Sequence, residues 1–249
     1  MEKERFYTEN IGAVKENELA SVKKAVEICR ANTEINEITL LIHTKNNTGY
    51  IERVFSGVNI KSLFNGIKID SELPLIKIET VKTLDDNYYK KRVIVAFGLR
   101  SDELFKYDDF ESILVIIAHQ WNENGVKEWA QTWAATEILS NIQAPKMNYP
   151  HKVVQEAFND LTKSINMSTG ITHFMDEELC KTYLRALDKY EYTLNSKEIN
   201  AYLITELGWE SDDVKDIIKL IDKLNSGGYF KGGDKTGLQN HIKRWKLRE

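Results

Sequence analysis

"ILVIIAHQWNENGVKEWAQTWAATEIL", residues Ile113–Leu139, decides the fold of the first half of the chain. Six apolar residues run unbroken from Ile113 to Ala118 and stop at His119-Gln120-Trp121. Unbroken apolarity over so short a run suits a strand covered on both faces, as in a parallel sheet. After a polar turn, Val126, Trp129, Ala130, Trp133 and Glu137 recur at helical spacing. This predicts a helix with tryptophans four apart on one face. A covered strand followed by a helix is the repeating unit of an α/β layer structure.

The preceding residues repeat the pattern. Leu19, Val22, Ala25, Val26 and Cys29 form one face of a helix over 18–31. Glu37–His43, "EITLLIH", reads as a covered strand, and about Tyr50 to Phe55 as a short helix with Thr48 as its N-cap. In Leu73–Leu84, "LPLIKIETVKTL", the alternation of Ile76 and Ile78 with Lys77 and Glu79 predicts a half-buried strand near an edge. Arg92–Leu99 is near-continuously apolar and reads as central. The link "DDNYYKK" is too short for a crossover helix, so these two runs are expected to pair antiparallel. Ser101 is expected to cap a short helix through Leu104 and Phe105. The sum is a Rossmann-like α/β domain over residues 1–145, with a mixed, mostly parallel sheet and flanking helices.

Pro145 and Pro150 interrupt the pattern, and residues 146–249 read as a small all-helical domain. Helices are expected over 151–163, up to Leu187, after Ser196 and after Ser211, with Gly208 and Gly227 as terminators. The helix after Ser211 carries three lysines and four aspartates, which argues against a recognition helix for nucleic acid. The tail 231–249 is different: six basic and two acidic residues, with His241 and Trp245 interleaved. It reads first as a C-terminal helix docked through Ile242 and Trp245, and secondarily as a contact for phosphate or an acidic surface.

Composition limits the functions open to the chain. It has 249 residues, 42% hydrophobic and 29% charged, the balance of a globular protein rather than a disordered one. A net charge of −4 gives no global attraction to nucleic acid or anionic membrane. Cys29 and Cys180 are far apart and belong to no Cys-x-x-Cys pair, so they read as buried thiols in a reducing compartment. The opening "MEKERFYTEN" lacks an apolar signal core, and no apolar run is long enough to span a membrane. Cytoplasm is the expected location, with no membrane association.

In open α/β sheets, ligands bind beyond the carboxyl ends of the strands. Three polar clusters fall there: His43, Thr44, Lys45 and Asn46; Arg100, Ser101 and Asp102; His119, Gln120 and Trp121. Lys45, Arg100 and the amides near Ser101 could bind an anion, His119 or His43 could move protons, with Asp102 or Glu123 able to reach His119 in space, and Trp121 could stack. That combination suits a nucleotide or phosphorylated small molecule. The competing reading is that these groups cap loops and helix starts. No phosphate-binding glycine motif, cofactor motif or metal-ligand pair accompanies them. Ser168, His173 and Asp176 sit in one local loop, unlike a hydrolase triad, and read as a turn in which Thr169, Thr172 and Asp176 bond to backbone.

The expectation is a non-catalytic module that binds a ligand or protein partner within a larger bacterial-type system. Behind it stands an enzyme acting on a nucleotide or phosphate ester at the strand ends. A nucleic-acid-associated protein using the tail 231–249 comes third.

Overall fold

The computed structural model describes residues 3–9 and 14–248. The chain divides into two compact units, Met1–Lys146 and Met147–Glu249.

In the first unit, strands β1 (Glu4–Thr8), β2 (Glu37–Ile42), β3 (Leu75–Thr80), β4 (Arg92–Phe97), β5 (Ile113–His119) and β6 (Thr136–Glu137) form one sheet. Their order is β3-β2-β4-β5-β1-β6, and every neighbouring pair is parallel. Helices α1 (Lys15–Ala31), α2 (Gly49–Val54) and α3 (Ile60–Asn65) cover one face. Val22, Ala25, Ile51 and Leu63 join Ile38, Leu40, Val93, Val95 and Ile117 there in a single core. Helices α4 (Ser101–Asp108) and α5 (Lys127–Trp133) cover the other. β1 shows the alternation: Phe6 packs on the first core, while Arg5 pairs with Asp108 of α4 and lies over the Trp133 ring of α5. Every residue of β2 and β4 is buried, as expected of near-continuous apolar runs covered on both faces, and the buried Arg92 and Thr39 are both partnered by Glu37. Each fully buried Ile or Leu contributes about 1.5–3 kcal/mol.

β3 and β4 correct the sequence reading. They do not pair antiparallel; each lies parallel to β2, one on either side. Residues 81–91 carry the chain back without a helix. An extended chain covers about 3.3 Å per residue, so this stretch suffices to retrace a short strand. β1, "ERFYT", was not anticipated, because its mixed polarity gives no periodic signal. The tryptophan helix also stops early. Ala134 turns left-handed at φ 48°, and Glu137 therefore lies in β6.

The second unit contains α6 (Lys152–Ser164), α7 (Phe174–Lys189), α8 (Ser196–Thr205), α9 (Ser211–Asn225) and α10 (Leu238–Lys246). Ser101, Ser196 and Ser211 are first helical residues rather than caps; Arg100, Asn195 and Glu210 hold the cap positions. His151 and His173 each accept a hydrogen bond from the amide two residues on, which assigns both to N-capping. Thr169 and Thr172 donate to carbonyls three residues back; among the described residues Asp176 makes no such bond. Gly170 is required at its position. Its φ is +52°, and a Cβ there would lie 2.6 Å from Asp213 Cγ.

The basic tail folds onto α6 and α7. Ile242 and Trp245 are buried. Asp160 of α6 accepts from Trp245 Nε1 at 2.8 Å and pairs with Arg244 at 2.6 Å and Arg248 at 2.5 Å. Two of the six basic side chains are thus tied to one carboxylate; Glu249 lies outside the described residues.

Candidate functional site

The strand order creates a crevice between β2 and β4. The chain leaving β2 runs to α2 and α3 on one face, and the chain leaving β4 runs to α4 on the other. Such a switch point is where an α/β sheet opens for a ligand. His43, Thr44, Arg100 and Ser101 all border it.

Beside it, side chains pack over the ends of β4, β5 and β1. Phe97, His119 and Thr8 stand side by side on adjacent strands. Tyr50 of α2 closes over them, stacked on Phe97 at 5.6 Å between ring centroids and edge-on to His119 at 6.2 Å. Trp121 meets the Tyr50 ring edge-on at 5.2 Å and is 38% exposed. Burial under this cluster pushes the Tyr50 phenol up from its ordinary value.

His119 is 0% exposed, and its Nδ1 lies 3.0 Å from the Thr8 hydroxyl. The next residue holds the corner closed. The Gln120 side-chain nitrogen Nε2 donates to the Glu9 carbonyl, and its side-chain oxygen accepts from the Val126 backbone amide.

His43 lies in the mouth of the crevice. Its Nε2 is 3.1 Å from the Gly98 carbonyl, and its Nδ1 is 3.3 Å from Glu103 Oε1. The same carboxylate accepts from the Arg100 amide at 2.9 Å, so it fastens the β2 loop to the start of α4. Arg100 and Asp102 pair with one another at the exposed surface, 3.0 Å apart. Ser101 is buried; its hydroxyl donates to the Gly125 carbonyl and accepts from the Trp129 amide, joining α4 to α5. Thr44 bonds to Asn47 within its own turn, and Asn46 is exposed.

Lys45 leaves this group. Its ammonium lies 5.9 Å from the centroid of the Phe64 ring and faces a groove of about 540 Å³ along β3. Lys77, Ile78, Thr80, Asn87 and Lys90 also line that groove. Lys77 pairs with Glu79, and Lys90 pairs with the buried Glu37 at 2.7 Å. Among the described residues no carboxylate lies in ion-pair range of Lys45. The structure therefore separates the ten residues singled out from sequence. His119, Gln120 and Trp121 line a packed corner, His43, Arg100, Ser101 and Asp102 surround the start of α4, Thr44 and Asn46 stay in the exposed turn after β2, and Lys45 belongs to the groove.

Sequence reasoning missed Glu103, Tyr50, Phe64, Lys77 and Lys90. Glu103 follows Arg100 by three residues, the spacing at which a carboxylate returns to a helix's N-cap amide, and that signal was readable. The others became relevant only when the β3 edge and α2 were positioned.

Among the described residues, no group of three or more His, Cys, Asp or Glu is arranged to hold a metal ion. No helix among them is long and apolar enough to cross a membrane.

Residues 150–246 match the family model described as a domain of unknown function (DUF1889). The match covers most of the helical unit and none of the sheet. No curated protein matches the chain. No solved structure matches it either.

Proposed function

We propose that the α/β unit is a non-catalytic ligand-binding module that takes its ligand in the β3 groove rather than at the strand ends. One observation carries this reading. The ends of β4 and β5 are packed under Tyr50 by Phe97 and His119, whereas the groove at β3 presents an ammonium that has no carboxylate in ion-pair range among the described residues. A thermal-shift screen of small polar anions tests the reading, because a ligand that binds the folded state raises the melting temperature. The expected result is a rise for the wild type that is lost in Lys45→Glu. A rise of equal size in both would move the site elsewhere.

The His43–Glu103 pair favours a second reading, an enzyme acting on a nucleotide or phosphate ester. The imidazole is oriented by a carboxylate at the switch point and its side chain is 39% exposed, as a general acid–base group requires. Turnover of a phosphate ester that is abolished in His43→Gln, with the fold intact, would replace the first reading with this one.

A further inference from the structure

The C-terminal helix is fastened through one guanidinium. Arg244 Nη2 lies 2.6 Å from Asp160 Oδ2 of α6 and 3.3 Å from the Tyr183 hydroxyl of α7. It also lies 3.3 Å from Nδ1 of His241, one turn back on α10. An arginine side chain has donors only. His241 Nδ1 is therefore the acceptor in this contact and carries no proton, and the ring's single N–H is on Nε2.

The same ring packs. Its centroid lies 5.1 Å from that of Tyr183 and 5.7 Å from that of Trp245, and the imidazole is half-buried beside them. Trp245 is fully buried, with its Nε1 held by Asp160. His241, Arg244 and Trp245 thus form one cluster with Asp160 and Tyr183, and the cluster joins α10 to both α6 and α7.

The charged groups around the imidazole act in opposite directions. Burial disfavours a second proton on the ring, and so does Arg244 of its own helix. Asp160 of α6 and Asp234 of the preceding loop favour one. α7 presents the Tyr183 phenol. Asp160 is already shared by Arg244, Arg248 and Trp245, and Asp234 accepts from the Thr236 amide and hydroxyl. Burial and the Arg244 charge prevail, and the ring is held below its ordinary 6.5.

We propose that His241 is a proton-operated latch on the C-terminal helix. A proton taken from solvent onto Nδ1 removes the acceptor of the Arg244 bond and sets an imidazolium 3.3 Å from a guanidinium. α10 is then held less firmly against α6 and α7. The folded value lies below the unfolded one, so the latch adds stability that is fully present above the unfolded 6.5 and is lost as pH falls through the folded value. The Asp160 carboxyl lies below 3.8 and stays ionised over that range, which separates the two responses.

The test measures hydrogen exchange of the α10 amides in the full chain at about pH 7.5 and about pH 5, as protection factors, so that the intrinsic pH dependence of exchange cancels. Protection from Ile242 to Lys246 should fall about threefold or more in acid. His241→Asn places a neutral amide oxygen near the position of Nδ1. It should lower protection at both pH values through lost ring packing and abolish the difference between them. His151→Asn and His173→Asn, at the two N-cap histidines of the same unit, should leave the difference in place. In the wild type the His241 ring signals should titrate below the midpoint of the same ring in urea, and Arg244→Gln should raise the folded midpoint. The inference is overturned if α10 is equally protected at both pH values, if the fall survives in His241→Asn, or if it disappears in either cap variant. It is also overturned if His241 titrates at or above its unfolded midpoint, or if Arg244→Gln leaves that titration unmoved. Should His241→Asn not fold, the two ring titrations decide alone.

Discussion

The His119 imidazole and the Thr8 hydroxyl meet 3.0 Å apart on neighbouring parallel strands, both fully buried. The contact joins β5 to β1 at the end of the sheet where chemistry was expected. The histidine there packs against Phe97 and Tyr50. His119→Ala removes the ring from this packed corner and leaves the Thr8 hydroxyl without it. Urea denaturation should show a loss of about 2–4 kcal/mol. Ligand binding at the β3 groove should be unchanged; its loss at full stability would return His119 to the site.

Gly98 controls how Tyr50 closes the crevice. Its φ is +74°, and a Cβ added there would stand 3.0 Å from the Tyr50 hydroxyl and 3.6 Å from Trp121 Cβ. Gly98→Ala is expected to cost about 1–3 kcal/mol through backbone strain and crowding. Tyr50→Phe in the same chain should relieve part of the crowding. A double-mutant cycle of thermal midpoints measures that coupling, and strict additivity would show that the two positions do not interact.

Asp160 makes tail docking dependent on pH. Burial raises its carboxyl, but hydrogen bonds from Trp245 and Arg248 and the charge of Arg244 more than offset this, and its pKa falls below the ordinary 3.8. A depressed carboxyl adds stability that is fully present above the unfolded value and is lost as pH falls through the folded one. Asp160→Asn should therefore cost about 2 kcal/mol at neutral pH. The difference from wild type should shrink in acid below about pH 4. Urea midpoints across pH check this; a difference that stays constant down to pH 2 would count against it.

Both cysteines are held inert by burial, which pushes the Cys29 thiol up to about 11 and the Cys180 thiol up to about 12. The thiolate is the reactive form. A disulfide reagent at pH 8 should label neither in the native protein and both in denaturant. Rapid native labelling of Cys180 would show that the core of the helical unit opens readily.

The sequence identified elements more reliably than their neighbours. The near-continuous apolar runs at 37–43 and 92–99 and the unbroken one at 113–118 became the buried strands, since a strand covered on both faces gains from apolar residues at nearly every position. The alternation of Ile76 and Ile78 with Lys77 and Glu79 marked β3 as an outer strand. Strand pairing was not readable in the same way. Whether residues 81–91 return beside β3 or cross past β2 is a property of the path through space, and an extended link permits both. The Ser101 cap failed because position Arg100 is filled by a residue with no capping preference, and Glu103 supplies the bond instead.

Periodicity and composition alone therefore determined an α/β unit followed by a helical one, the central strands, and the docking of the tail through Ile242 and Trp245. Only the tertiary structure decided that His119 is packed under Tyr50 while Lys45 faces a groove. A residue's type fixes its chemistry locally. Its exposure and partners depend on elements remote in the chain, and α2 and the free edge of β3 made that choice.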